Sequence, residues 1–475
     1  MLSKRTKTDA ILGNLAIICV LIQIPMDSPN LTSRRILLTW WPLAASWLLL
    51  SIELPAINAV IARLANPEIN LASFGGVMYP LALVIESPIV MLLAASVALS
   101  KDWASFVKLR RFMQVAGAGL TILHILIAFT PLYYVVTEQL LGVPHEIVAP
   151  ARLGLMLMTP WTWSIAYRRF HQGMLIRFGH SRAVSNGTLI RLLVDITVLA
   201  IGYFLKLPGT VVAGSAIAAG VLCDAVYAGL VSRPVIRLQL KPAPAVSQRL
   251  TLGTFMPFYF PLVMTSLISL LVQPIGAAAL SRMPQAIESL ATWSVVSSLI
   301  FMLRSIGIAY NEVVVALLDE TGSAKRLWSF AINLILATSF IWLLILATPL
   351  SKFWFQTVSA LPADLAILAQ LSVWIALPLP ALAVLQSWFQ GAILHSHNTR
   401  PISEAVVIFL VVNMVILFIG VRYGKLTGLY VGLISLMVSS LIQTIWLWLR
   451  SKPALREVHQ RDTLELIIPP VETVP

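Results

Sequence analysis

SFGGVMYPLALVIESPIVMLLAASVAL (73–99) holds one charged residue, Glu86, in the whole run. A bilayer-spanning helix needs about 20 mostly apolar residues, so this run is long enough to cross. It lacks the period-two alternation of a lipid-facing strand, which disfavours a closed barrel. Eleven further stretches read the same way, at 36–62, 112–136, 147–167, 185–205, 209–232, 251–278, 288–317, 328–350, 362–389, 402–421 and 427–449. The whole chain agrees: 58% of residues are hydrophobic and 11% charged, with mean hydropathy +0.87. Soluble domains carry about 25% charge. Soluble enzymes, nucleic-acid modules and disordered scaffolds are therefore disfavoured together, and the lipid bilayer is the first expected partner. Cys19 and Cys223 both lie in apolar runs, so no disulfide framework is implied.

Basic residues orient the predicted spans. With the N-terminus cytoplasmic, KDWASFVKLRR (101–111), RRFHQGMLIRFGHSR (168–182) and RPVIRLQLK (233–241) are inner loops. On that reading 24 Lys and Arg lie inside and seven outside, with Arg191 and Arg304 within spans. Such an excess is the positive-inside signature of an inner-membrane protein with both termini cytoplasmic. The excess of 33 basic over 20 acidic residues is therefore topology rather than a nucleic-acid patch. Residues 11–25 (ILGNLAIICVLIQIP) are short for a span and would flip every later loop, so they read as an interfacial or re-entrant helix.

A shift of 218 aligns Gln172-Gly173 with Gln390-Gly391, Arg182 with Arg400, Phe112 with Phe330, Asp195 with Asn413 and Gly202 with Gly420. A shift of 219 places KLPG (206–209) on KLTG (425–428). The register predicts an all-α polytopic membrane protein built from two parallel six-helix bundles, related by an axis along the membrane normal. Expected boundaries are an N-terminal segment 1–35, an N-lobe 36–232, a linker 233–250, a C-lobe 251–449 and a cytoplasmic tail 450–475. Two rigid bundles facing a cleft are the physical basis of alternating access.

Each ion left in the bilayer centre costs about 2.5–3.5 kcal/mol on insertion scales and asks for a reason. Glu53 precedes Pro55 and Asn58 in the first span, and Glu86 precedes Pro88 in the second. Arg191 and Asp195 stand at i and i+4, where they either neutralise one another or hold a ligand. Asp224, near the inner end of its span, either serves the cleft or reaches the interface. Arg304 falls at the position equivalent to Glu86, with opposite charge, and must be paired or meet an anion. These seven, Asn58 included, are the candidate substrate and ion-coupling residues. His124 reads as a hydrogen-bonded interior histidine, and Gly424, Gly428 and Gly432 as a packing ladder.

No nucleotide loop, HExxH, Cys/His metal spacing or nucleophile elbow is present, so neither an enzyme nor a cofactor is expected. The drive would come from a proton or sodium gradient, or from the solute's own gradient. A flippase for a lipid-linked headgroup or oligosaccharide is the alternative.

The spans, with Gln-Gly turns expected after the fourth and the tenth, resemble the multidrug/oligosaccharidyl-lipid/polysaccharide (MOP) exporter superfamily, which includes the MATE proteins. The stretches LASFG (71–75), SKDW (100–103), AGAGLTILHILIAFTPLYYVV (116–136) and PARLGLMLMTPWTWSIAYRRFHQGMLI (150–176) are most similar to its progressive ankylosis branch. RLTLGTFMPFYFPLVM (249–264) matches more loosely. That resemblance implies a V-shaped monomeric exporter. Its multidrug relatives exchange organic cations for protons or sodium, and its ankylosis relatives export pyrophosphate and organic anions.

Overall fold

The computed structural model describes residues 31–246, 250–320, 322–396 and 400–467; the predicted helix at 11–25 lies outside them. Helices account for nearly all of the described chain, and no strand occurs among these residues. In order they are α1 (Ser33–Ile61), α2 (Pro67–Leu99), α3 (Trp103–Phe129), α4 (His145–Leu157), α5 (Thr159–Arg177), α6 (Ser181–Phe204) and α7 (Gly209–Leu240). The second half follows as α8 (Leu252–Leu280), α9 (Ala286–Leu317), α10 (Ser323–Ala347), α11 (Ala363–His395), α12 (Arg400–Tyr423) and α13 (Gly428–Ile467). Eleven helices among the described residues are long and apolar enough to cross a bilayer. The place of the fourth predicted span is taken by the pair α4–α5, which carries His145, Glu146, Arg152, Arg168 and Arg169 and is too polar to join them. Pro160 separates the pair at Met158. Its counterpart under the repeat, Pro378, sits at the corresponding break in α11.

The two halves repeat one another down to backbone strain. Asn66, Gly142 and Lys206 have φ of 51°, 66° and 53°; their counterparts Gln285, Ala360 and Gly424 have 55°, 51° and 62°. Left-handed conformations are uncommon outside glycine, so three matched pairs mark equivalent turns. The π-helical turns Val135–Leu141 and Phe353–Val358 begin at equivalent positions of the repeat. Equivalent hydrogen bonds tie the start of α7 to α2 (Thr210 N–H to Asn70 Oδ1, 3.3 Å) and the start of α13 to α9 (Leu429 N–H to Ser289 Oγ, 3.2 Å).

Three sequence expectations change. Residues 168–177 are not an inner loop but the end of α5, where Arg168 is buried. Removing Arg168, Arg169 and Arg177 from the inner tally leaves 21 of 24, so the charge asymmetry survives. Gln172-Gly173 and Gln390-Gly391 lie inside helices rather than in turns. Each glycine lets one helix cross another: a Cβ at Gly173 would meet Leu93 O at 2.5 Å, and one at Gly391 would meet Val314 Cβ at 2.6 Å. Helix also persists into both expected polar segments, through Leu240 in the linker and through Ile467 in the tail. At about 1.5 Å per residue, the 40-residue α13 outreaches a bilayer. Its end docks through Val458, packed with Leu317 and Leu318, and through Arg461, which donates to Leu318 O at 3.0 Å.

Candidate functional site

Five helices of the first half, α1, α2, α5, α6 and α7, gather charge where lipid would otherwise demand apolar residues. Arg191 on α6 donates to both oxygens of Glu53 on α1, with Nη2 at 2.6 Å from Oε2. Asp195, one turn further along α6, stands 3.8 Å from Arg191 Nε. The intrahelical pair is thus secondary to an interhelical one. Neither Asp195 carboxylate oxygen has a hydrogen bond. Two ionised carboxylates sharing one guanidinium leave one uncompensated negative charge, which a proton or cation would relieve.

Asp224 is enclosed by protein rather than open to its surroundings. Fully buried on α7, it accepts from Arg168 Nη1 at 2.8 Å and from Gln172 Nε2 at 3.4 Å, both on α5. Glu86 on α2 is buried with Oε2 unpartnered, close enough to Arg168, Arg169 and Arg191 to feel their charge. Arg168 and Arg169 escape sequence reasoning because a basic run after an apolar one reads as a loop. Glu312, near the end of its predicted span, escapes it too; it is half-buried on α9 with Oε2 buried and unpartnered, beside Trp47 of α1. Asn58 belongs to the contact between halves, bonding Ser294 and Ser298 of α9 rather than facing a cavity. His124 is an interior histidine, bonded to Thr162 Oγ1 at 2.8 Å and to Leu155 O at 2.9 Å. Gly428 and Gly432 pack against Leu280 and Trp293, while Gly424 serves a turn.

In the second half the equivalent space is open. A cavity of about 130 Å³ lies among α8, α9, α12 and α13, lined by Gln273, Trp293, Ser297, Arg304 and Asn413. Two lining residues are counterparts of the charged cluster at a shift of 218: Arg304 of Glu86, and Asn413 of Asp195. Phe409 replaces Arg191 and, at the shift of 219 that pairs α1 with α8, Val272 replaces Glu53, so the ion pair that occupies the first half is absent here. Arg304 has no hydrogen-bond or ion-pair partner among the described residues, and its Nε is buried. Asn413 is 4% exposed and its Oδ1 is also unsatisfied. A half-buried guanidinium within a membrane span, without a carboxylate, is costly unless something else supplies negative charge.

Gly220 sets the floor of the first-half cluster. A Cβ there would fall 1.8 Å from Asp195 Oδ1 and 3.1 Å from Arg191 O. Gly220→Ala is expected to lower stability by about 1–3 kcal/mol through overpacking, read as a lower thermal midpoint in detergent.

Comparison with known proteins fits this architecture. Residues 25–211 match the family model for Progressive ankylosis protein (ANKH). An inward-facing multidrug-resistance MATE family transporter of the MOP superfamily aligns over 93% of this chain and 99% of its own, at TM-score 0.62 and 14% identity. The chain has a MATE-like fold. Lipid II flippase MurJ, in an inward closed conformation, aligns over 90% of this MATE-like chain and 92% of its own, at TM-score 0.63 and 15% identity. A variant of the Vibrio cholerae MATE transporter VcmN gives 0.58 and 16%, over 89% and 97%. No curated protein sequence matches significantly. At these identities the structural likeness establishes the fold, and the ankylosis match bears on the first half.

Proposed function

We propose that this MATE-like protein is a secondary-active transporter that exports a small anionic solute, organic or phosphate-containing, by alternating access between its halves. Arg304 carries the reading: an unpaired guanidinium facing a cavity of about 130 Å³. At about 30 Å³ per water, that space holds roughly four waters, enough for a carboxylate or phosphate group. Guanidinium binds both through paired charge-assisted hydrogen bonds. The Glu53–Arg191–Asp195 cluster supplies the opposite requirement, an excess negative charge that a proton or sodium ion neutralises, and is the proposed coupling site. The basic excess in the expected inner loops supports a place in the cell's inner membrane with cytoplasmic termini, and the proposed exporter is a monomer.

Proteoliposomes under imposed pH and sodium gradients test this with labelled pyrophosphate and citrate as probes. Wild type is expected to show gradient-driven uptake. Glu53→Gln cannot exchange a proton, so its uptake loses dependence on the gradient. Flipping of a labelled lipid without soluble flux would establish the headgroup-flippase reading instead.

A further inference from the structure

At the C-terminal ends of α1 and α8 the two halves hold each other by the same device, used twice. Arg63 donates through Nη1 to Ala59 O of its own helix (2.6 Å) and to Val358 O (2.9 Å), and through Nη2 to Thr357 O (2.5 Å). Arg282, its counterpart in the second half, donates through Nη1 to Ala278 O (2.6 Å) and Leu141 O (2.5 Å), and through Nη2 to Leu140 O (2.8 Å). Each arginine thus caps its own helix and reaches the π-helical turn of the opposite half. A guanidinium suits this because helix C-termini present unsatisfied carbonyls at the negative end of the dipole.

The turns are shaped to receive it. Left-handed residues follow both, Gly142 directly after Leu141 and Ala360 two residues after Val358. A Cβ at Gly142 would come within 3.0 Å of the Arg282 guanidinium carbon. Four hydrogen bonds therefore cross between halves on this face. Both arginines are solvent-exposed, so water can replace every bond lost. Contacts of that kind are individually weak, as a closure that must break in every cycle requires.

From this geometry we infer that Arg63 and Arg282 are paired latches that hold this face of the transporter closed, and that releasing them opens the solute pathway there. The inference rests on the alternating-access reading. With two reciprocal latches, loss of one leaves the other engaged, so the single variants have small effects and the double variant a large one.

Spin labels at Ala65→Cys and Gln356→Cys, both exposed and one on each side of the contact, report its opening in a Cys19→Ser/Cys223→Ser background. Double electron–electron resonance in lipid nanodiscs is expected to show a dominant short distance for wild type. In Arg63→Ala/Arg282→Ala the ratio of long to short populations should rise at least tenfold, and in the double lysine variant less, because lysine lacks the fork. Arg152→Ala is the control. Its guanidinium bonds Ala128 O, Phe129 O and Tyr134 within its own half, so no shift is expected. An unchanged distribution in the double alanine variant, or an equal shift in Arg152→Ala, overturns the latch. Pyrophosphate uptake by the same preparations separates the two readings. Normal uptake with an unchanged distribution removes the latch alone. A shifted distribution with no uptake by any form removes the transporter and leaves a hinged contact.

Discussion

Arg304→Gln is expected to stabilise the protein and to abolish its transport of anions. The two effects have one cause. In wild type, a guanidinium near the middle of α9 faces a cavity with no carboxylate in reach, a burden of about 2.5–3.5 kcal/mol on insertion scales. Glutamine keeps much of the length and hydrogen-bonding capacity while removing the charge, so a gain of about 1–3 kcal/mol follows, seen as a raised thermal midpoint. The lost anion contact is two charge-assisted hydrogen bonds at about 1.5–3 kcal/mol each. At about 1.4 kcal/mol per tenfold, uptake of pyrophosphate or citrate should fall about 100-fold or more. Had Arg304 been a structural ion-pair partner, its removal would cost stability. The sign of the change in thermal midpoint therefore discriminates before any flux is measured.

Arg168→Gln behaves in the opposite way. It strands Asp224, whose side chain is fully buried, and breaking one partner of such a pair costs about 3–5 kcal/mol. The second half shows how the same crossing is made without charge. At the positions equivalent to Arg168 and Asp224 stand Gln386 and Gln443, joined at 3.3 Å, with Gln386 also donating to Thr444 Oγ1 at 3.0 Å and Ser440 O at 3.1 Å. The double variant Arg168→Gln/Asp224→Gln imports that solution, and should recover most of the loss, to within about 1 kcal/mol of wild type. Thermal unfolding of the four forms makes a double-mutant cycle. A double variant no better than Arg168→Gln alone would show that the ion pair does more than join α5 to α7.

Span order and duplication are legible because each rests on a long signal: apolar runs of about 20 residues or more and a register sustained over half the chain. Individual partners are not. Arg191 and Asp195, four apart on one helix, suggest each other, yet Glu53 on another helix is the nearer partner, and helix-to-helix contacts leave no spacing in the sequence. Arg168 and Arg169 are concealed by their own charge, since hydropathy cannot distinguish a helix end buried against Asp224 from a cytoplasmic loop. The opposition of Glu86 to Arg304 is visible at a shift of 218. What it means depends on whether Arg304 has a neighbour to neutralise it.

Equilibrium dialysis of the purified protein against labelled pyrophosphate tests the role of that cavity most directly. Saturable binding by wild type, abolished in Arg304→Gln and unaffected by tetraphenylphosphonium, is the outcome expected. Equal binding by both forms, or displacement by the organic cation, would place the solute elsewhere and leave the second-half cavity without its assigned role.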